Sequence, residues 1–347
     1  MNHFANRLLI WWQTHGRHDL PWQIDRTPYR VWVAEVMLQQ TQVVTVIGYF
    51  ERFMHRFPDL ETLARADLDD VLALWSGLGY YARARNLHAA ARLCLERYDG
   101  VVPESAEALR ELSGIGESTA NAIVAQAHDR RAPILDGNVK RVLARHAGIS
   151  GWPGRSAVTK RLWQESETRT PGDRACDYTQ AIMDLGAMLC TPRNPACESC
   201  PVSADCVARL QSRVHELPEK KPRRERPRRK VVLALVENRQ GEILLERRPP
   251  AGIWGGLWSL PALDDLPGRQ EGERLEPVEH HFTHFILDIE LRHIHAIGMN
   301  WLADDRNQAW MRPEEALKSG LPRPIRRIIE SNRHRPNPGT AESTIIG

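Results

Sequence analysis

Four cysteines fall within seventeen residues, Cys190, Cys197, Cys200 and Cys206, in the pattern C-x6-C-x2-C-x5-C. No other feature of the chain restricts its folding as strongly, because four thiolates closing so short a loop can converge on one metal centre. The loop follows a helical run that ends Asp184-Leu185-Gly186-Ala187. Disulfides suit the pattern less well. Only Cys94 and Cys176 lie outside the loop and no secretory signal is seen, so a thiol-reducing compartment is expected. Soft thiolates admit either an iron–sulfur cluster or a structural zinc, and spacing alone does not separate the two.

The 347 residues, 42% hydrophobic, suffice for two cored domains. No apolar run approaches a membrane span, since Leu8-Leu9-Ile10-Trp11-Trp12 is cut short by Gln13, Thr14 and His15. The expectation is a soluble monomer without membrane contact, cytoplasmic in a bacterium or nuclear in a eukaryote. The net charge is only +3, but eight Lys/Arg against two Glu crowd between Glu219 and Lys230, broken by Pro222 and Pro227. This reads as a linker, over 216–230, that either only tethers or also touches phosphate without specificity.

The 1–215 segment reads as α-helical. Thr27 can cap a helix with Pro28 at its first position, and Trp32, Val33, Val36 and Met37 follow at helical spacing. Amphipathic stretches cover about 44–55, 68–76, 83–97, 104–112, 117–128, 137–147 and 175–189. After the linker the texture changes. Val231 to Val236, then Asn238-Arg239-Gln240-Gly241, then Glu242 to Leu245 read as strand, turn and strand. Further β-like residues run from His280 to His295, and a helix is expected after Pro313. Residues 231–333 thus form an α+β domain, and 334–347 a disordered tail.

Leu112-Ser113-Gly114-Ile115-Gly116-Glu117-Ser118 joins two of these helices as a helix–hairpin–helix turn. Gly114 and Gly116 are expected in dihedrals other residues avoid, their amides aimed with the next helix start at a phosphate. An ordinary tight connection is the bland alternative.

The hairpin, the run Leu135-Asp136-Gly137-Asn138-Val139-Lys140-Arg141-Val142 and the cysteine loop resemble, in order and spacing, the endonuclease III superfamily of DNA glycosylases. Ala34-Glu35-Val36-Met37-Leu38-Gln39-Gln40-Thr41-Gln42-Val43 and Gly77-Leu78-Gly79-Tyr80-Tyr81-Ala82-Arg83 narrow the resemblance to the MutY-type adenine glycosylases, over about 5–330. It implies two helical lobes with the active site in the cleft between them, one [4Fe–4S] cluster, and a Nudix-like domain that recognises 8-oxoguanine. The substrate implied is duplex DNA carrying adenine opposite 8-oxoguanine or guanine.

Breaking an N-glycosidic bond to adenine needs an acid for the leaving purine and an anion for the oxocarbenium-like sugar. Glu35, among Trp32, Val33, Val36 and Met37, has an apolar setting that favours its protonated form. Asp136 sits at a helix start, where the dipole favours the ionised form. Taken singly, Glu35 could be a structural ion-pair member and Asp136 a plain N-cap. The resemblance makes them the proton donor to adenine N7 and the sugar-cation stabiliser, with Asn138 helping to place the second carboxylate. It further implies that Gln42 and Tyr80 wedge into the duplex as the adenine flips out, and that Arg17, Trp22 and Gln180 line the adenine pocket.

Ser118 stands where bifunctional relatives carry the Schiff-base lysine, so no lyase is expected; the alternative is a bifunctional oxidised-pyrimidine glycosylase. Ser113 replaces the usual hairpin proline, and Glu117 sets an acid beside the presumed phosphate. In the C-terminal domain Phe282-Thr283-His284 resembles the Phe-Ser-His loop that senses 8-oxoguanine, with threonine for serine. Gly252 to Pro261 looks like the start of a Nudix fold, but no Arg-Glu-x-x-Glu-Glu helix follows, so a catalytically empty binder is expected rather than a nucleotide hydrolase. A scaffold that only grips phosphate is the remaining, non-enzymatic reading.

Overall fold

A computed structural model describes residues 3–222, 225–250, 252–266, 272–296 and 307–333. Packing divides the chain into two units, Met1–Arg65 with Asn86–Arg223, and Ala66–Arg85 with Arg224–Gly347.

The first unit is helical. Its helix Pro28–Leu38 starts as expected: the Thr27 hydroxyl accepts the Arg30 N–H, and proline occupies the first turn. Tyr29, Val31, Trp32, Val33, Ala34, Val36 and Met37 are all buried, so this helix is apolar around most of its circumference and runs through the interior. It packs on helix Glu117–His128, which also meets helix Ala175–Asp184. A core built from Leu8, Trp12, Leu135, Val139, Leu143, Tyr178 and Ile182 joins the N-terminal helix His3–His15 to the helices that follow the hairpin. The expected helix over 175–189 is two structures: an α-helix to Asp184, then a wider π-helical turn over Leu185–Leu189. Helices His3–His15, Leu60–Arg65 and Ser156–Arg169 had no clear sequence signal.

The second unit contains a mixed sheet. Strands β1 (Arg228–Glu237), β2 (Ile243–Arg247), β3 (Trp258–Ser259), β4 (Glu273–His281), β5 (Ile286–His295) and β6 (Gln308–Met311) lie in the order β3-β2-β1-β5-β4, with β6 also on β2. The β1–β5 pair is parallel and the others are antiparallel. The unbroken apolar run in β1 is that of a strand covered on both faces. Leu233 and Leu235 point to one core with Ile289, Leu291, Ile325 and Ile328, while Ala234 and Val236 point to the other with Leu266 and Ile294. The helix expected after Pro313 is a single turn, Pro313–Ala316. The helix that covers the sheet is Arg323–Asn332.

Of the expected linker 216–230, Leu217 is buried in the first unit and Arg228 to Lys230 already belong to β1. The expected disordered tail, 334–347, lies outside the described residues.

Candidate active site

A pocket of about 410 Å³ opens in the first unit, within the roughly 300–1,000 Å³ typical of small-ligand sites. Arg17, Trp22, Glu35, Gln39, Ser118, Asp136, Asn138 and Gln180 line it. Glu35 reaches it from the apolar helix Pro28–Leu38, and the Gln126 side-chain amide, buried on the neighbouring helix, donates to Glu35 Oε1 at 2.7 Å. Burial pushes the Glu35 carboxyl up to about 7; the Gln126 hydrogen bond opposes this and the nearby Asp136 charge adds to it. The apolar setting read from the sequence thus has the expected consequence.

Asp136 caps helix Gly137–His146, its Oδ1 accepting the Val139 N–H at 2.7 Å. The helix-start argument predicts a carboxylate that ionises easily. Instead the carboxyl is raised above the usual aspartate range, because burial outweighs the Val139 and Asn138 amides and the Arg141 and Lys140 charges that pull the other way. Among the two carboxyls, the donors that favour an anion are gathered on Asp136, whereas Glu35 receives one neutral amide. A single proton shared within the pair is therefore better placed on Glu35.

Asn138 is itself fixed from outside the pocket. Its Oδ1 accepts from Arg141 Nη2 at 2.8 Å, and the same guanidinium donates to the carbonyls of Gly186 at 2.5 Å and Cys190 at 2.6 Å. A Cβ on Gly186 would lie 2.6 Å from Asn138 Cβ and 3.1 Å from its Cα, so only glycine lets the π-helical turn pass this closely. Neither Arg141 nor Gly186 was singled out from sequence, since nothing local marks them.

Arg17 and Gln180 face the pocket, but their polar ends converge on buried Asp184. Arg17 donates to Asp184 Oδ1 from Nε at 2.8 Å and from Nη2 at 2.6 Å, and Gln180 Nε2 does so at 2.8 Å. Trp12 Nε1 and the Arg17 amide supply Oδ2. Asp184, missed in the sequence, orients both pocket residues. Trp22 is buried edge-on against Phe50, at a ring separation of 5.5 Å.

In the hairpin, Gly114 has φ +82° and could not carry a Cβ without meeting Asn86 Cβ at 2.8 Å. Gly116 differs from the expectation: its φ of −89° and ψ of 173° suit any residue, and space around it is open. Ser118 Oγ accepts the Leu135 N–H at 2.9 Å, tying the hairpin helix to the segment that carries Asp136. Gln42 is exposed at the start of helix Val43–Arg56, with no capping hydrogen bond from its side chain. Tyr80, in the second unit, is 51% exposed and not a core tyrosine; it adopts φ +51°, a left-handed conformation unusual for an aromatic.

Cys190, Cys197, Cys200 and Cys206 line one cavity with Val142, Leu185 and Val202. Arg145, buried beside them, donates to Cys190 Sγ at 3.3 Å and to the Thr191 and Leu217 carbonyls. The donor set is pure thiolate, four sulfurs around one cavity, which fits an iron–sulfur cluster.

In the second unit the Phe282 N–H donates to the Phe285 carbonyl at 3.0 Å, closing a hairpin between β4 and β5. The Phe282 ring stacks on Phe285, at 4.5 Å between centroids, and meets His280 edge-on. Thr283 and His284 stand exposed at the tip.

Residues 33–167 match the profile of the HhH-GPD superfamily of base excision DNA repair proteins, residues 190–206 the iron–sulfur binding domain of endonuclease III, and residues 232–331 the NUDIX domain. The adenine DNA glycosylase of Buchnera aphidicola is 35% identical over 340 residues, covering 94% of this chain and 97% of its own. That of Homo sapiens is 36% identical over 320 residues, 77% of this chain and 58% of the human one. A thermostable thymine-DNA glycosylase superposes with a TM-score of 0.55 at 29% identity, over 60% of this chain and 97% of that one. An endonuclease III–DNA complex shares the fold, with a TM-score of 0.52 at 20% identity over 60% of this chain and 95% of that one. The match over Cys190 to Cys206, together with the adenine glycosylase relatives, identifies the cofactor as one [4Fe–4S] cluster.

Proposed function

This chain belongs to the adenine DNA glycosylase family, and from that premise we propose that it is monofunctional and removes adenine paired with 8-oxoguanine or guanine in duplex DNA. One observation carries the mechanism: Glu35, raised to about 7, shares its pocket with Asp136, on which the anion-favouring donors gather. Glu35 gives its proton to N7 of the flipped adenine as the C1′–N9 bond breaks, so the base leaves neutral. Asp136 stabilises the oxocarbenium-like sugar, water adds at C1′, and the water proton returns to a carboxylate. Asn138, tied through Arg141, holds Asp136 in position. Arg17 and Gln180, oriented by Asp184, frame the base beside Trp22.

The cluster supplies no acid or base to this sequence. Its thiolate loop orders the segment that includes Cys190, whose carbonyl binds Arg141, and the exposed Arg193 that follows. Gln42 and Tyr80 enter the duplex, and the Gly114–Ser118 hairpin grips phosphate. Ser118 at the pocket wall, with no lysine among the lining residues, favours hydrolysis over a lyase step. The Nudix-like domain reads the opposite base without hydrolysing nucleotides, through the exposed Thr283 hydroxyl and His284 imidazole, which can bond to the N7/O8 edge. The enzyme acts as a monomer wherever the genome is kept, and none of its described helices is long and apolar enough to cross a membrane.

Single-turnover assays test this reading on duplexes with adenine opposite 8-oxoguanine, guanine or thymine. Strand cleavage should appear only after alkali, fastest opposite 8-oxoguanine, and borohydride should trap no adduct. Alkali-independent nicking or efficient trapping would instead point to the bifunctional reading.

A further inference from the structure

Three side chains that the glycosylase reaction does not use meet at the end of the β1–β5 pair. Glu237 closes β1 and is the register partner of His295 on β5, while His293 lies two residues earlier beside Leu235. With side chains alternating along strands, all three project from the same face. His293 Nε2 is 3.0 Å from a Glu237 oxygen, the two imidazole centroids are 4.3 Å apart, and one donor atom from each residue lies within 4.8 Å of the other two. We propose that Glu237, His293 and His295 bind one divalent cation of the zinc class.

Two imidazole nitrogens and a carboxylate oxygen are the donors that zinc, nickel and cobalt accept, and three protein ligands leave a position for water. The frame is rigid, because β1 and β5 pair through ten successive residues up to Glu237 and His295. His293 is buried and His295 half-buried, so both rings are held within the fold rather than free in solvent. Glu273, opposite His293 on β4, adds a second negative charge. Arg312 and Arg333 share a cavity with Glu237, but Arg333 is paired with Glu314.

The site differs in chemistry from the all-sulfur loop, and this separates them experimentally. Zn2+ titrated calorimetrically into the full-length, cluster-loaded protein should fill one saturable site, with nitrogen and oxygen ligation including imidazole at the zinc X-ray absorption edge. His295→Ala, which removes a half-buried ligand, and Glu237→Gln, which keeps the shape and the hydrogen bond to His293, should each weaken it by more than about tenfold. Unchanged affinity in both variants, no saturable site, or sulfur ligation at the edge would overturn the proposal.

Discussion

In the pocket, Glu35 hangs from an apolar helix and its partner Gln126 is buried, whereas at the β4–β5 hairpin Thr283 and His284 stand in solvent on a half-buried aromatic base. Under the proposed function the two regions serve opposite needs. Proton donation at neutral pH requires a carboxyl taken out of water, so burial itself creates the reactivity. Reading a base edge, the role proposed for the hairpin, requires donors that a duplex can reach, and the hairpin keeps its aromatic anchor half-buried and its tip exposed. On that proposal a substitution in the pocket should alter chemistry, and one at the tip should alter choice.

The sharpest test of the contrast is Glu35→Gln or Asp136→Asn. Each should slow excision opposite every partner base by on the order of 10³-fold or more while leaving mismatch binding largely intact, as read by single-turnover rates and gel shifts. Turnover near the parent rate would break the assignment. Next in size is Gly186→Ala, whose methyl collides with Asn138 at the pocket edge. Displacement of Asn138 and Asp136 should cost about 10²-fold in rate with the cluster's visible absorption retained; if activity were unaffected, Gly186 would have no part in placing Asn138.

At the hairpin, Thr283→Ala should lower the preference for 8-oxoguanine:adenine over guanine:adenine by about 1 kcal/mol, with little change on the poorer substrate. Phe282→Ala is a different experiment from Thr283→Ala. Its ring packs on His280 and Phe285, so it should lower the stability of the C-terminal domain by about 1–3 kcal/mol and shift discrimination only through the tip it supports. Equal loss of discrimination with full stability would mean that the ring itself reads the lesion.

The smallest effect expected is a displaced pH profile. As the proposed acid, Glu35 must be protonated to act, so the rate should fall as pH rises through about 7. Gln126→Leu removes the hydrogen bond that lowers the Glu35 value, and the alkaline limb should move upward. Linkage gives the matching sign for stability. The raised carboxyl binds its proton more tightly in the native state, so stability is lost as pH rises from the usual glutamate range through about 7. Glu35→Gln should therefore be more stable than the parent above pH 7, by on the order of 1 kcal/mol, and gain less at pH 5. A pH-independent difference in melting temperature would count against burial as the cause.

Much of this was legible in the chain because it is periodic or local. Helix Pro28–Leu38 was announced by Thr27 and Pro28, the β1–β2 turn by Asn238 and Gly241, the cluster loop by its spacing. Asn238 illustrates why: its side chain accepts the amides of Gln240 and Glu242, a bond made within five residues. Features set by distant parts of the chain were not legible. Gln126 donates to a residue 91 positions away and Asp184 accepts from Arg17 167 positions away, and no pattern around either one signals it.

The sequence by itself determined which groups are present: two carboxylates, four thiolates, a serine in place of lysine, a hydroxyl-bearing hairpin. Only the tertiary structure decided their state. Asp136 is the clearest case, for a helix start alone favours its anion, yet the protein packed around it raises its affinity for the proton. Capping is local and can be read along the chain. Desolvation depends on everything brought close in space, and that exists only once the chain has folded.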